Sequence, residues 1–360
     1  MQLKVLELFG GIGACSKALE RLSVDYEIAD YVEINKYAVK SFNAIHNTNF
    51  EPQDICEWNK DIEVDLIMHG SPCQDFSLAG KQAGGDKDSG TRSSLMYETI
   101  RIVNKLKPKY VIWENVKNLL SKKHRHNFDA YLETMEQLGY TNYYQVLNAK
   151  DYGIPQNRER VFTISILGNE SYEFPKENIQ ECEVINPLQG ISGKSWQFEQ
   201  NVYSENSILR SLKAGGGSGN IPKVIEHFEF PPKQELKLRL KDMLEDEVDE
   251  KYYLTDSMIN YLENGKYNSA KVSNKLNQTE TGISPTLDTM QGGNRQPFIN
   301  FKTRIRKLTP KECWRLMGFD DEDFEKAAKV NSNTQLYKQA GNSIVVNVLE
   351  AILKELLLNE

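Results

Sequence analysis

The sequence predicts an α/β fold in which a parallel sheet carries helices on both faces, followed by a second, smaller domain that is rich in loops. Through the first half of the chain, short apolar runs alternate with segments of helical periodicity, a pattern typical of βαβ units. Beyond about residue 168 this alternation stops. Polar stretches, the glycine-rich segment 215–219 and the pair Pro231-Pro232 follow without a sustained period, which indicates a loop-rich domain.

The elements of the fold can be assigned in chain order. Apolar runs predict six strands, at Lys4–Leu8, Glu27–Val32, Leu66–His69, Tyr110–Trp113, Tyr143–Leu147 and Val161–Leu167. Helical periodicity predicts helices between them, for example Met96–Leu106 and Asn127–Leu138. Near the C-terminus, Thr309 as the cap and Pro310 as the first helical residue predict a helix that Gly318 closes, and a last helix covers Val345–Leu358.

Composition is that of an ordinary globular protein, with 360 residues, 39% hydrophobic and 26% charged. The net charge of −7 by itself argues against nucleic acid as a partner. The basic runs Lys122–His126 and Lys302–Lys307 still leave a basic cleft open, although each run alone is more often a solvated face. Since no apolar stretch approaches the ~18–20 residues of a membrane span and the N-terminus runs straight into a strand pattern, we expect a cytoplasmic protein.

The cysteines argue against both a disulfide framework and a zinc site. They are odd in number, widely scattered and form no C-x-x-C pair: Cys15, Cys56, Cys73, Cys182 and Cys313. The five histidines add no metal-ligand spacing. We therefore expect no bound metal.

A glycine-rich turn follows the first strand. The segment 6–13 runs from a strand into Gly10-Gly11-Ile12-Gly13, and glycines allow a tight turn and a close approach of the backbone to a ligand. Glu33 ends the second strand, at the distance where an acidic residue holds ribose hydroxyls. The pair favours a cofactor that contains a nucleoside. The turn and Glu33 do not distinguish a dinucleotide from S-adenosylmethionine. The third glycine of the dinucleotide-binding pattern is absent, however, since Cys15 and Ser16 occupy that region, and this weakens the dinucleotide case.

Residues with nucleophilic and acid–base chemistry follow two other strands. Cys73 comes shortly after Leu66–His69, at the carboxyl end of a strand where α/β sheets bind ligands, and is a candidate nucleophile; a buried small hydrophobe is the alternative. Glu114 comes at the end of another apolar strand, at the same edge of the sheet as Cys73. It is either a catalytic carboxylate or a solvated glutamate. Arg158 and Arg160 could hold a phosphate, a base edge or Glu114, or could be surface residues.

Eight segments in this order resemble one family closely, the cytosine-C5 DNA methyltransferases, and in particular the single-chain bacterial and phage enzymes of restriction–modification systems. The segments are Phe9-Gly10-Gly11-Ile12-Gly13, Glu33, Asp54-Ile55, residues 70–77, Glu114-Asn115-Val116, Gln156-Asn157-Arg158-Glu159-Arg160, residues 306–313 and residues 339–344. They span nearly the whole chain except about 169–303, where the family places its variable target-recognition domain.

The resemblance implies a Rossmann-like S-adenosylmethionine-dependent methyltransferase sheet with a smaller target-recognition domain. Residues 1–168, completed by 332–360, would form the catalytic and cofactor-binding domain, and 169–331 the recognition domain. The implied activity is methyl transfer from S-adenosylmethionine to C5 of a cytosine in a specific double-stranded DNA sequence, with base flipping, a covalent Cys73–C6 adduct and S-adenosylhomocysteine as the product.

The resemblance also implies catalytic roles that chemistry supports. Because C5 of cytosine is a poor nucleophile, a thiolate must first add at C6, and Cys73 suits that step. With an ordinary pKa near 8.5, only about 3% of a free thiol is ionised at pH 7, so the site must stabilise the thiolate. Glu114 would bind the N3 edge, and Arg160 would hold the O2 side and orient Glu114, with Arg158 nearby.

The resemblance also implies which residues contact the cofactor and the DNA. The cofactor would be bound by Phe9, Gly11, Gly13, Glu33, Ile34, Asp54, Ile55, Pro72, Leu95, Asn342 and Ser343. Ile34 departs from the family, which often places a large aromatic residue there. DNA would be contacted by Gln74, Ser77, Lys81, Thr286 and Leu287. Residues 77–92 resemble the mobile catalytic loop of the family, the alternative being a long surface loop.

Double-stranded DNA is therefore the expected partner of a monomeric enzyme. The sequence leaves two settings open: a cognate restriction endonuclease in the same system, with no stable complex between the two, or a solitary or phage-borne enzyme. A tRNA cytosine-C5 methyltransferase is the alternative within this chemistry, but the large middle region favours a reader of duplex DNA. A Rossmann oxidoreductase would use the same glycine turn and acid but gives no reason for Pro72-Cys73-Gln74. A catalytically inactive DNA-binding relative would be expected to lose Cys73 or Glu114, and this chain has both.

Overall fold

A six-stranded sheet forms the centre of the computed structural model, which describes residues 2–72, 95–176, 202–204, 209–212, 223–225, 244–253 and 305–358. Its strands are β1 (Leu3–Leu8), β2 (Tyr26–Val32), β3 (Leu66–His69), β4 (Tyr110–Val116), β5 (Tyr140–Asn148) and, after the short β6 (Gln156–Asn157), β7 (Glu159–Leu167). Their order in the sheet is β2-β1-β3-β4-β7-β5. All six predicted strands are present.

The sheet is mixed, and the parallel pairing that the sequence predicts is found in four of its six strands. Strands β2, β1, β3 and β4 are parallel, whereas β7 runs antiparallel to both β4 and β5. The connection from β5 to β7 spans only residues 149–158, including a 3-10 turn at Ala149–Tyr152 and β6. A parallel crossover needs a dozen or more residues, and so the chain turns back on itself instead.

Helices cover both faces of this sheet, as predicted. In the described ranges they are α1 (Ala14–Arg21), α2 (Lys36–His46), α3 (Met96–Leu106), α4 (Arg125–Gln137), α5 (Pro310–Arg315), α6 (Asp321–Ala328), α7 (Asn333–Asn342) and α8 (Val346–Leu357), with 3-10 turns at Lys117–Leu120 and Glu250–Tyr252. No helix in these ranges is long and apolar enough to span a membrane.

Alternation along the strands divides the core in two. Val5 belongs to a cluster with residues of α1 and α8, such as Ala18 and Ile352, while its neighbour Leu6 belongs to a cluster with residues of α3 and α4, such as Val103. Successive side chains of a strand point to opposite faces, so both faces of the sheet are buried, as strands that are apolar throughout require.

The predicted start of α5 is confirmed. Thr309 Oγ1 accepts a hydrogen bond from the Glu312 backbone N–H at 3.2 Å, and Glu312 Oε2 accepts one from the Thr309 N–H at 2.7 Å, which together form a capping box. Pro310 occupies the first turn, where its missing N–H is no loss. Gly318 follows the helix with a φ of +84°.

Residues after 307 pack onto the six-stranded sheet. Trp314 and Ala327, from α5 and α6, belong to the same cluster as Ala18 of α1. Lys17, whose side chain is buried, pairs with Asp320 at 2.8 Å and Asp323 at 3.0 Å. The C-terminal helices therefore form one core with the N-terminal half, including α5 and α6, which the sequence analysis assigned to the recognition domain.

The described parts of the middle region contain short strands. Strands β8 (Val202–Ser204), β10 (Lys223–Ile225) and β11 (Ile305–Lys307) form a three-stranded sheet in the order β11-β10-β8. Strand β9 (Leu209–Arg210) pairs in parallel with β6. This pairing connects the middle region directly to the segment that precedes β7.

Candidate active site

The turn between β1 and α1 has a shape that requires glycine at two positions. A Cβ on Gly10 would lie 2.7 Å from Cε2 of the buried Tyr31, and one on Gly13 would lie 2.2 Å from His46 Nε2. Gly13 has a φ of +81° and its N–H donates to the Gly10 carbonyl at 3.0 Å. Larger side chains would displace these neighbours. Phe9 also has a positive φ, 53°, a conformation uncommon outside glycine.

Glu33 lies against this turn. It follows β2, and its carboxylate accepts hydrogen bonds from the N–H groups of Asn35 at 2.8 Å and Gly11 at 3.3 Å. Burial raises the pKa of Glu33, and the hydrogen bonds from Asn35 and Gly11 oppose that rise. The Tyr31 hydroxyl donates to the Gly11 carbonyl at 2.7 Å. The turn thus holds an acidic acceptor of the kind that binds ribose hydroxyls.

Three apolar residues predicted to contact the cofactor border the same core cluster. Ile55 is buried within the cluster, and Phe9 and Leu95 pack against it half-buried. Ile34 is 67% exposed, so the chain presents a large apolar side chain to solvent directly after Glu33. Asp54, half-buried, accepts a hydrogen bond from the Cys56 N–H at 2.9 Å. Apolar side chains and the carboxylates of Glu33 and Asp54 are groups that could hold the adenosine part of S-adenosylmethionine.

The loop that carries Asp54 and Ile55 is held by a residue that sequence reasoning missed. The buried Asp30 accepts hydrogen bonds from Gln53 Nε2 at 3.1 Å and Trp58 Nε1 at 2.7 Å, and it pairs with Lys60 at 2.8 Å. Asp30 could have been found from the sequence, because an aspartate in the middle of a buried strand needs hydrogen-bonding or charged partners.

Glu7 is a second buried carboxylate that the sequence analysis did not single out. It accepts hydrogen bonds from the backbone N–H of Ser16 at 3.0 Å and from the Ser16 hydroxyl. Helix α1 has Gly13 at its N-cap and no side-chain cap of its own, so Glu7 supplies an acceptor for its first turn. Burial raises the pKa of Glu7 to about 7, and the two hydrogen bonds from Ser16 oppose that rise.

The two predicted arginines have different surroundings. Arg158 is 4% exposed, and its guanidinium donates to the carbonyls of Leu212 at 2.9 Å, Ser343 at 2.7 Å and Gly341 at 3.3 Å. It therefore joins the end of α7 to the segment that contains β9. Asn342 is exposed and Ser343 is buried at that end.

Arg160 contacts Glu114. Its Nε lies 2.9 Å from Glu114 Oε1, and the two side chains are 18% and 12% exposed. In the antiparallel pair β4–β7, Glu114 is opposite Phe162 and Val116 is opposite Arg160, which makes Glu114 and Arg160 diagonal neighbours on one face. Glu114 lies within β4 rather than after its end, because this strand continues to Val116.

The chain that leads toward Cys73 passes beside Glu114. A Cβ on Gly70 would lie 3.7 Å from Glu114 Oε2 and 3.6 Å from Ile344 Cδ1. Pro72, half-buried, is the last described residue of this stretch. The structure thus brings Glu114, Arg160 and the segment before Cys73 together. The remaining predicted residues lie outside the described ranges: Cys73, Gln74, Ser77, Lys81, Thr286 and Leu287.

Among the described residues there is no group of three or more histidine, cysteine, aspartate or glutamate side chains that could hold a metal ion.

Comparisons with known proteins agree on one family. The sequence model of one protein family, the C-5 cytosine-specific DNA methylases, matches residues 3–358. The chain is 33% identical over 412 residues to the type II methyltransferase M2.ScrFI of Lactococcus lactis subsp. cremoris, covering 98% of this chain and 99% of that protein. It is 33% identical over 457 residues to the orphan methyltransferase M.SPBetaI of Bacillus phage SPbeta, covering 99% and 98%.

Among solved structures, the fold is similar to that of the S. pombe Dnmt2 methyltransferase. The TM-score is 0.59 at 20% sequence identity, and the match covers 100% of this chain and 99% of that one. At this identity the likeness concerns the fold.

Proposed function

The chain belongs to the C-5 cytosine-specific DNA methylases, and we propose that it methylates C5 of one cytosine in a specific double-stranded DNA sequence through Cys73, Glu114 and Arg160. Membership of this family implies S-adenosylmethionine as the methyl donor. The observation that carries the residue assignment is the position of Glu114, which pairs with Arg160 at 2.9 Å and faces Gly70, three residues before Cys73.

The chemistry begins at the thiolate of Cys73. It adds to C6 of the flipped cytosine, a C–S bond forms, and the electron pair of the C5–C6 double bond moves to C5, with the negative charge shared toward N3. The Glu114 carboxyl, hydrogen-bonded at the N3 edge, stabilises this charge by sharing a proton. The Arg160 guanidinium holds the O2 side and fixes Glu114.

S-adenosylmethionine supplies the methyl group when bound. After C5 is methylated, a base removes the C5 proton, the electron pair re-forms the double bond, and the C6–S bond breaks to release the Cys73 thiolate. Arg158 acts here as a positioning residue, because its guanidinium faces backbone carbonyls of the C-terminal segment and of residue 212.

The donor set around the glycine turn suits S-adenosylmethionine. We assign the ribose hydroxyls to Glu33, the adenine to Phe9, Ile55 and Leu95 with Ile34 and Asp54 at its edges, and the methionine part to the turn at Gly11 and Gly13. Pro72, Asn342 and Ser343 complete the pocket. No metal takes part in the proposed chemistry.

Recognition of DNA is assigned to the region from residue 169, together with the loop that follows Cys73. Gln74, Ser77 and Lys81 would contact the flipped nucleotide, and Thr286 and Leu287 the target sequence. The catalytic part comprises 1–168 and 332–360. Residues of α5 and α6 belong to the same core cluster as Ala18 of α1, and Lys17 of α1 pairs with Asp320 and Asp323. This favours placing residues 305–331 with the catalytic part and ending the recognition region near residue 304 rather than 331.

In the cell, we propose that the enzyme acts as a monomer in the cytoplasm. A restriction endonuclease of the same system would share its target without forming a stable complex, and a solitary or phage-borne enzyme is the alternative.

Covalent trapping tests the proposed chemistry. Sequencing of modified cytosines in cells that express the chain first gives the target, and a duplex with 5-fluorocytosine at that position is then incubated with S-adenosylmethionine. Addition and methyl transfer need no proton at C5, but release does, and fluorine cannot leave as a cation. We expect a denaturant-stable DNA–protein adduct with the native enzyme and none with Cys73→Ala. No adduct on a duplex with the mapped site would contradict the mechanism, and modification of tRNA instead of DNA would favour the alternative substrate.

A further inference from the structure

The two residues that flank Glu114 in β4 both donate hydrogen bonds to Ser71. Trp113 Nε1 lies 3.0 Å from Ser71 Oγ, and Asn115 Nδ2 lies 3.4 Å from the Ser71 carbonyl oxygen. Trp113 and Asn115 are each 1% exposed and Ser71 is 3% exposed. We call these contacts the Ser71 bridge. Buried hydrogen bonds of this kind have no water to replace a lost partner.

The Trp113 indole is held rigidly. Its ring is stacked on His69 with a centroid distance of 5.6 Å and an interplanar angle of 6°, and it lies 4.2 Å from the Tyr131 ring. His69 Nε2 is in turn 3.3 Å from the Tyr131 hydroxyl. Because these rings fix the plane of the indole, they also fix the direction of its N–H and hence the position of the Ser71 hydroxyl.

Ser71 stands two positions before Cys73, with Pro72 between them. Consecutive Cα atoms are about 3.8 Å apart, so the Cα of Cys73 lies within roughly 7 Å of the Cα of Ser71. Pro72 narrows the range of possible Ser71–Cys73 Cα distances further, because its ring fixes the backbone angle φ. Whatever fixes Ser71 therefore limits how far the residue that carries the thiol can lie from it.

We propose that Trp113, acting through Ser71, is a positioning residue that sets the spacing between the Cys73 thiol and the Glu114 carboxyl. Side chains of a strand alternate between faces, so Trp113 and Asn115 bind Ser71 from one face while Glu114 faces the substrate side. Strand β4 then carries Glu114 itself and, through Ser71, also fixes the start of the segment that leads to Cys73. This inference rests on the proposed function of Cys73 and Glu114.

The test compares Trp113→Phe, Ser71→Ala and the double variant in single-turnover methyl transfer. Trp113→Phe keeps an aromatic ring but removes the N–H donor, and Ser71→Ala removes only the hydroxyl. We expect each single variant to slow transfer and 5-fluorocytosine adduct formation by about 10–100-fold, as small misplacements of reacting groups do. The affinity for S-adenosylmethionine should change less than about twofold, and the double variant should be no slower than the slower single variant.

Trp314→Phe is the matched control. Trp314 is also fully buried, and its Nε1 donates to the Leu336 carbonyl at 3.0 Å, on the other face of the sheet. The variant thus removes one buried indole donor without touching the Ser71 bridge, and its transfer rate should stay within about twofold of the native rate, well short of the 10-fold loss expected from misplacement.

Three outcomes would overturn the inference: native rates in Ser71→Ala, equal losses in Trp113→Phe and Trp314→Phe, or a parallel loss of cofactor affinity in Ser71→Ala. If Trp113→Phe does not fold, the transfer rate of Ser71→Ala alone still tests the inference. Failure of the proposed function is distinguishable, because the native enzyme would then form no adduct at all.

Discussion

Arg160 Nε lies 2.9 Å from Glu114 Oε1, although the two residues come from strands that run in opposite directions. The reversal of β7 is what places an arginine beside the carboxylate, because antiparallel pairing makes the two side chains diagonal neighbours on one face. Both side chains are largely buried. A carboxylate in such surroundings depends on its partner for orientation and for charge compensation.

Replacing Glu114 by glutamine should slow methyl transfer by about 10²–10⁴-fold, the range for loss of a positioned acid–base group. The amide keeps the shape of the side chain but cannot share a proton with N3. Single-turnover assays with saturating DNA would measure the effect, and calorimetry should show nearly native cofactor affinity. Glu159→Gln is the control, since Glu159 is exposed and pairs with Lys117. If Glu114→Gln weakened DNA binding alone, its assigned role would be wrong.

Arg158 and Arg160 should separate stability from catalysis. Arg158→Ala leaves three buried carbonyls without their donor and should lower the free energy of unfolding by about 3 kcal/mol. Arg160→Ala should lower it less and reduce the rate more, by about 10²-fold or greater. Urea denaturation and single-turnover rates on both variants provide the comparison. A fully stable but inactive Arg158→Ala would instead place Arg158 in contact with substrate.

Much of this arrangement follows from local patterns in the sequence. The six apolar runs each form a strand, and Thr309 and Pro310 start α5 as predicted. The direction of β7 was missed because strand polarity depends on the length of the connection and not on the apolar pattern of the strand. The bond from Trp113 to Ser71 could not be found from spacing either, since it joins residues 42 positions apart through the packing of neighbouring strands.

Gly10→Ala should weaken binding of S-adenosylmethionine by about 10-fold or more. The added methyl group would lie 2.7 Å from the buried Tyr31 ring, which stacks on Phe42 at 3.8 Å and cannot move freely. Shifting the turn instead would displace the backbone to which we assign the cofactor, and such overpacking costs typically 1–3 kcal/mol. Calorimetric titration measures the change.

Gly153→Ala is the matched control for Gly10→Ala. Gly153 has a φ of +84°, and a Cβ there would meet nothing within 4 Å. This variant should lose about 1–2 kcal/mol of stability through backbone strain with no change in cofactor affinity. Equal effects of both variants on affinity would mean that the glycine turn is not the binding element.

Glu7 should make stability fall as pH rises toward and through 7. Burial raises its pKa from 4.5 to about 7, so between these values the folded protein holds a proton that the unfolded chain has released. The stability from that proton is fully present below pH 4.5 and is lost as pH rises through about 7. From pH 5 to 8 the loss should be about 2–3 kcal/mol.

Glu7→Gln should remove this dependence, because an amide does not titrate. Urea denaturation at several pH values would show a flatter profile for Glu7→Gln than for the native protein and a higher stability at pH 8. Glu136→Gln, at an exposed position of α4, should leave the native profile in place. A native profile in Glu7→Gln would refute the assignment of this pH dependence to Glu7.

Grafting residues 169–303 into a relative with a different target should transfer the methylated sequence. We assign the cofactor and the chemistry to residues outside this region, which leaves this region as the proposed reader of base edges in the major groove. The graft must preserve the junction at Leu212, whose N–H donates to Gln156 Oε1 at 2.8 Å and whose carbonyl accepts from Arg158. A second graft of 213–303 alone keeps the recipient's own junction and should transfer the target with less loss of activity. Sequencing of modified cytosines in cells expressing each hybrid identifies the target, and an active hybrid that keeps the recipient's original sequence would exclude this region as the recognition element.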